Sequence, residues 1–242
     1  MRDFFDEPVA ARYDEAAADM FDPSVVEPAV DLLAELAGDG RALELGIGTG
    51  RIAVPLAARG VAVAGVDLSE AMLARLRAKP GAEAIEAVIG DFATTTVEGT
   101  FSVAYLVFNT ISNLTTQAQQ VACFRNVARH LRPGGTFVIE VGTPDLQRLQ
   151  AGETVRPFLV DDTRLGFDEY DIANQGLVSH HFETVDGCLR RRSIPFRYTW
   201  PAELDLMAEL AGMRLRDRWG DWGREPFTSE SRKHVSVWEK AG

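Results

Sequence analysis

The chain has 242 residues, 46% of them apolar, and carries 36 Asp and Glu against 25 Lys and Arg, a formal net charge of −11. That length fits one large domain or two small ones with a sizeable core, and the acidic balance speaks against a phosphate backbone as partner, which needs clustered Lys and Arg. No apolar stretch is long enough to span a membrane, Met1–Glu7 is too acidic for a signal peptide, and Cys123 and Cys188 lack the short spacing of a zinc site or disulfide framework, so the expectation is a soluble, cytoplasmic protein without nucleic-acid or membrane partners.

Residues 1–21 set aromatics (Phe4, Phe5, Tyr13, Phe21) between charges and predict an arm or helix that packs on the rest of the molecule. Asp22-Pro23 reads as an N-cap with proline in the first turn. Val25, Val26, Ala29, Val30, Leu33 and Leu36 then recur at helical spacing until Gly38. From there strands and helices alternate. Strands are predicted at Arg41–Leu45, Val61–Val66, Ala84–Ile89, Phe101–Phe108 and Thr136–Val141. Helices are predicted up to Arg59, from the Ser69 cap through Leu76, and from a capping box at Thr116 and Gln119 through Leu131. Pro133-Gly134-Gly135 reads as a turn. Near-continuous apolar strands alternating with helices predict a doubly wound, Rossmann-like α/β fold with a mostly parallel sheet.

After about Thr143 the pattern changes. Strand-like segments fill Arg164–Trp200, where Leu177–Val185 and Leu189–Trp200 flank Asp186-Gly187, a hairpin turn signal. Pro201 opens a helix through Leu204, Met207, Leu210 and Ala211, and Met213–Trp219 and His234–Trp238 are the last predicted strands. A single domain is expected, divided into an N-terminal arm and helix (1–40), a ligand-binding core (41–143), a β-rich lid insertion (144–200) and a final helix with strands (201–242).

Glu44-Leu45-Gly46-Ile47-Gly48-Thr49-Gly50 joins the first strand to its helix. Glycine lets a ligand lie against the main chain, and the following helix presents free N–H groups. The phosphate-loop pattern is absent. The dinucleotide fingerprint fails as well, because Arg51 stands where the third glycine of a Gly46-based fingerprint belongs. Glu44, just before the loop, would repel a pyrophosphate but suits an amino group. Asp67 ends the second strand, where an acid can accept hydrogen bonds from ribose hydroxyls. Asp91 and Phe92 follow the third, where a carboxylate and a ring can take an adenine. The combination points to a nucleoside with an amino-acid tail.

These residues, with Val66-Asp67-Leu68-Ser69, Gly90-Asp91-Phe92 and Leu131-Arg132-Pro133-Gly134-Gly135 in that order, resemble the class I S-adenosylmethionine-dependent methyltransferases of small-molecule type. The resemblance runs from about Leu43 to Val141. It implies a seven-stranded sheet with an antiparallel last strand, S-adenosylmethionine as cofactor and S-adenosylhomocysteine as product. It also implies site roles. Gly46, Ile47, Gly48, Thr49 and Gly50 bring the backbone to the methionine part, and Glu44 supports the loop or reaches the amino group. Asp67 holds the ribose, Leu68 and Met72 lie beside adenine, Asp91 and Phe92 recognise it, and Phe108 and Asn109 line the space near the sulfonium. Ser102 departs from the acid common in the family.

For the acceptor, a small organic molecule is expected, methylated on nitrogen or oxygen. A hydroxyl acceptor needs a base, for which His180, His181 and Tyr13 are the candidates. His180 and His181 are adjacent on a predicted strand and point to opposite faces. Leu106-Val107-Phe108-Asn109 lacks the clustered acids of metal-assisted methylation, so no metal is expected. The aromatics Phe158, Phe167, Tyr170, Phe182, Phe196, Tyr198 and Trp200 are expected to shape the acceptor pocket. A non-catalytic cofactor-binding module and a nicotinamide oxidoreductase remain as alternatives, and the protein is expected as a monomer or homodimer.

Overall fold

A computed structural model describes residues 4–185 and 187–242. Met1–Asp3 and Asp186, the first residue of the predicted hairpin turn, lie outside the described residues. The arm forms two short helices, α1 (Glu7–Ala10) and α2 (Tyr13–Ala16), and a 3-10 turn before α3 (Pro23–Ala37). Asp22 caps α3 by accepting the Ser24 N–H at 2.8 Å, which satisfies one of the donors that a helix start leaves open.

The core alternates β1 (Arg41–Leu45), α4 (Ala53–Ala58), β2 (Ala62–Asp67), α5 (Glu70–Arg77), β3 (Glu86–Ile89), β4 (Phe101–Leu106), α6 (Gln117–His130) and β5 (Leu131–Gly142). Four further strands follow: β6 (Val155–Val160), β7 (Arg164–Asp171), β8 (Gly176–Val185) and β9 (Cys188–Arg197). Then come α7 (Pro201–Leu210), β10 (Met213–Trp219) and β11 (Lys233–Lys240). Seven strands form one sheet in the order β10-β11-β5-β4-β1-β2-β3. Only β11 runs against its neighbours β5 and β10, as the family resemblance implies. The other four form a separate antiparallel meander, β6-β7-β8-β9.

Period-two alternation on the strands separates two apolar layers. On one face Leu43, Leu45, Ala104, Phe137 and Ile139 meet α6 and α7 through Phe124, Val127, Leu204 and Met207. Phe124 makes edge contacts with Phe137 and Trp238, with ring centroids 5.0 and 5.5 Å apart, a geometry favoured by the ring quadrupoles. On the other face Ala42, Val63, Val103 and Tyr105 meet Val30, Leu33, Leu56 and Leu73. The capping box of α6 is present in both halves.

Three expectations need correction. Pro133-Gly134-Gly135 does not precede β5 but bulges from it: Leu131 pairs with Phe101 and Thr136 with Val103, so the residues between loop out. Val155–Val160 is a strand, hidden in the sequence by Pro157 and by solvent on much of its surface. The strand expected to reach Trp200 ends at Arg197, whose side chain turns inward to Gln120, Gln175 and Glu203.

His234 on β11 is fully buried, its Nδ1 2.8 Å from the Ser236 hydroxyl. Burial, with the Arg218 charge adding to it, pushes its pKa down from 6.5 to about 4. The unfolded chain then binds a proton below pH 6.5 that the native state refuses, so stability is lost as pH falls from 6.5 towards 4. The slope is about 1.4 kcal/mol per pH unit at most. Denaturant midpoints at pH 7 and 4.5 should show His234→Leu losing less stability over this interval than the native chain.

Candidate active site

The loop after β1 is folded by the end of β2. The N–H groups of Gly46 and Ile47 both donate to the Val66 carbonyl, at 2.8 and 3.0 Å. Gly46 and Gly50 sit at φ +71° and +80°, and a Cβ there would meet Thr110 Cγ2 at 2.6 Å and Leu76 Cδ1 at 2.3 Å respectively. Both the left-handed backbone and the close packing require glycine. Asp67 ties the loop to the start of α5: its Oδ2 accepts the Gly48 N–H at 2.7 Å and its Oδ1 the Ser69 N–H at 2.8 Å.

A cavity lies against this loop, lined by Phe4, Phe5, Tyr13, Gly46, Gly48, Asp67, Leu68, Met72, Phe92, Thr110, Asn113 and Pro195. Small-molecule sites combine apolar walls with a few placed polar groups, as this lining does. Seven of the sequence candidates are therefore brought together: Tyr13, Gly46, Gly48, Asp67, Leu68, Met72 and Phe92.

The others lie around the cavity rather than on its wall. Ile47 packs over Gly65 as a core residue, and Gly50 abuts Leu76 and Val54. Thr49 donates to Asp14 Oδ1 at 2.5 Å. Asp91 Oδ1 accepts the Ala93 N–H at 2.9 Å in a local turn. Glu44 is buried, and its Oε2 accepts the Tyr105 hydroxyl at 3.0 Å. Burial raises its pKa from 4.5 to about 8, against the lowering by that hydrogen bond and the Arg51 charge. Phe108 and Asn109 are consecutive left-handed residues at φ +55° and +59°, a costly conformation for side-chain-bearing residues. Three bonds hold them: the Phe108 N–H to Glu140 Oε2 (3.1 Å), the Asn109 N–H to the Glu140 carbonyl (3.2 Å) and the Gly142 N–H to Asn109 Oδ1 (2.6 Å).

The roof over the cavity is the N-terminal arm. Phe5 and Tyr13 meet edge-to-face at 5.9 Å. The Ser69 hydroxyl donates to the Phe5 carbonyl (2.6 Å), and Arg75 pairs with Glu7 and Lys79 with Asp14, each at 2.5 Å. Such surface ion pairs contribute about 0–1 kcal/mol each. Burial pushes the Tyr13 phenol up from its ordinary value of 10.

The meander supplies only Pro195 to the cavity wall among the described residues; the aromatics expected there are not on it. Neither histidine reaches it. His180 Nδ1 lies 2.8 Å from the Ser193 hydroxyl and its Nε2 3.2 Å from Glu169, with Phe167 packed on the ring. Val178 pairs with Pro195, so alternation puts His180 on the Pro195 face and His181 on the other. His181 contacts Phe158 and Ser179 there, and desolvation lowers its pKa. Phe4, Phe5, Thr110, Asn113 and Pro195 were missed as site residues. The Phe4-Phe5 pair in a charged stretch was the one visible signal.

Residues 42–135 match the family described as a methyltransferase domain. A relative from a Streptomyces species, the cypemycin N-terminal methyltransferase, is 33% identical over 240 residues, covering 94% of this chain and 97% of its own. Among solved structures, the CcbJ methyltransferase from Streptomyces caelestis superimposes with a TM-score of 0.82 at 39% identity, over 93% of this chain and 96% of that one. CalS10, an amino pentose methyltransferase from Micromonospora echinaspora, gives 0.70 at 22% identity over 94% and 96%, a likeness of fold. The glycine cradle, the strand-end acid and a relative aligned over nearly the whole length agree: the chain belongs to the class I S-adenosylmethionine-dependent methyltransferases.

Proposed function

We propose that this methyltransferase acts on a nitrogen or oxygen atom of a small organic molecule and releases S-adenosylhomocysteine. The observation that carries the reading is the cavity whose floor is the Gly46–Gly48 backbone, whose end is Asp67 and whose apolar side is Leu68, Met72 and Phe92. Asp67 would hold the ribose, the apolar trio the adenine, and the glycine backbone the methionine part. Glu44, away from the cavity wall and bonded to Tyr105, supports the loop, and Asp91, bonded within its own turn, shapes the Phe92 corner.

The cofactor supplies a methyl group on a sulfonium, an excellent leaving group. The protein's work is then chiefly to orient the acceptor and keep water out. Phe4, Phe5 and Tyr13 serve the second task as the roof. A neutral amine needs no base, and the site favours that case. Tyr13 alone of the three base candidates lines the cavity, and its raised pKa keeps the phenol protonated at neutral pH. The relative named as an N-terminal methyltransferase supports nitrogen as the attacking atom. We also read the β6–β9 meander as the element that, through Pro195, closes one side of the cofactor cavity.

Calorimetry should show S-adenosylhomocysteine binding with one site per chain. Incubation with methyl-labelled cofactor and separate pools of amines and alcohols should place label in the amine pool. Label confined to alcohols would overturn the choice of nitrogen, and binding with no transfer to either pool would sink the small-molecule reading.

A further inference from the structure

A second cleft opens beside the cofactor cavity at the same carboxyl edge of the sheet. The two share a wall. Gly46 and Gly48 line the first, Arg51 and Ile52 the second; Thr110 lines the first, Val107 the second. Between Val107 and Thr110 stands the left-handed pair Phe108–Asn109. The sides of the second cleft are largely apolar, with Val25, Pro28 and Ala29 from α3 facing Trp222.

Four charged residues face this space: Arg51, Glu140, Asp221 and Lys233. Arg51 is engaged, donating to the Met20 carbonyl at 3.2 Å with its guanidinium over the Phe108 ring. Asp221 Oδ1 accepts the Glu225 N–H at 3.2 Å and holds its own turn. Glu140, at the end of β5, divides its oxygens. Oε2 accepts the Phe108 N–H, while Oε1 meets, among the described residues, only the Lys233 ammonium, at 3.3 Å. The Glu140 side chain is 11% exposed and that of Lys233 51%. A half-solvated lysine on a flexible stem is a weak, replaceable counter-ion. A cation carried on an apolar body would be desolvated between these walls and bound more strongly. The net charge of −11 favours the approach of such a cation.

We propose that the second cleft seats the body of the methyl acceptor, and that this acceptor is an amphiphilic amine whose nitrogen hydrogen-bonds to Glu140 in place of Lys233. The proposal rests on the methyl-transfer reading above and adds to it the acceptor's chemical class and its anchoring residue. A carboxylate accepts N–H bonds from an amine in either protonation state, but only the neutral form attacks; an amine that arrives as a cation first releases its proton to solvent, and Glu140 positions the nitrogen.

The test uses two probes with one body, 1-naphthylmethylamine and 1-naphthoate, titrated into the full chain saturated with S-adenosylhomocysteine and followed by tryptophan fluorescence. Trp222 lines the cleft, so Trp222→Phe should remove the signal. The amine should bind at least about tenfold more tightly than the acid, the loss expected when a charge-assisted hydrogen bond is missing. Glu140→Gln should lose roughly the same factor. Because Glu140 also holds the Phe108 corner, Lys233→Ala is made beside it: this leaves the corner intact, removes the competing ammonium, and should tighten amine binding. Equal binding of amine and acid, a signal that survives Trp222→Phe, or Lys233→Ala that fails to tighten the amine would each overturn the proposal. Loss of S-adenosylhomocysteine binding by the unaltered chain would instead sink the reading on which it rests.

Discussion

Replacing Asp67 with alanine is expected to weaken S-adenosylhomocysteine binding by at least about tenfold. Two losses coincide. In the proposed site the carboxylate accepts from the ribose hydroxyls, and hydrogen bonds to a charged group contribute about 1.5–3 kcal/mol each. The same carboxylate clamps the Gly48 and Ser69 N–H groups at 2.7 and 2.8 Å. Without it the glycine loop and the start of α5 lose their common anchor, and the cofactor has to order a looser backbone on binding. Asp67→Asn retains one acceptor oxygen and should fall between the native protein and the alanine variant. Calorimetry on the three proteins decides the matter; an alanine variant with native affinity would refute the ribose assignment.

The second large effect concerns stability. Glu44 is buried, and its pKa rises from 4.5 to about 8. Between those values the folded chain holds a proton that the unfolded chain has released, so stability falls as pH rises from about 4.5 to about 8. The slope approaches about 1.4 kcal/mol for each pH unit. Glu44→Gln removes the titration, and its unfolding free energy, measured by denaturant titration across that range, should be flatter than that of the native chain. The comparison rests on the difference in slope, which is insensitive to any constant change caused by the amide in its bond with Tyr105. His234 acts with the opposite sign below pH 6.5 and cancels in the same difference. Parallel slopes in the two proteins would mean that Glu44 is already ionised inside the fold.

The glycine loop and its neighbours were readable because their constraints are local. Gly46 and Gly50 are dictated by backbone angle and by Thr110 and Leu76 pressing on them. Asp67 must stand at the end of β2 to reach Gly48, and the capping box of α6 is written in four consecutive residues. The rest of the cavity wall depends on contacts far apart in the chain. Phe4 and Phe5 reach the cavity on an arm whose ties include Ser69, Arg75 and Lys79. Nothing in residues 144–200 says that Pro195, and none of the seven aromatics expected there, faces the cofactor cavity. His180 and His181 were attractive for their chemistry alone; on β8 their partners are Ser193, Glu169 and Ser179. Glu140 drew no notice in sequence because a single acid inside an apolar strand carries no motif.

The position of β11 bears on how the molecule is made. Last of the strands in chain order, it is nonetheless interior, wedged between β5 and β10. During synthesis the β1–β5 half, with its mainly short-range crossovers, and the sequential meander of β6–β9 can both organise on the nascent chain. The edge strand β10 has no sheet neighbour until β11 arrives. Loop-closure entropy makes such a late, long-range insertion slow, and an unpaired β5 edge left waiting is a template for wrong partners. The glycine loop and Asp67, on β1 and β2 at the other side of the sheet, are spared that delay. A cofactor present during synthesis would meet a largely finished binding loop before the last strand slides home.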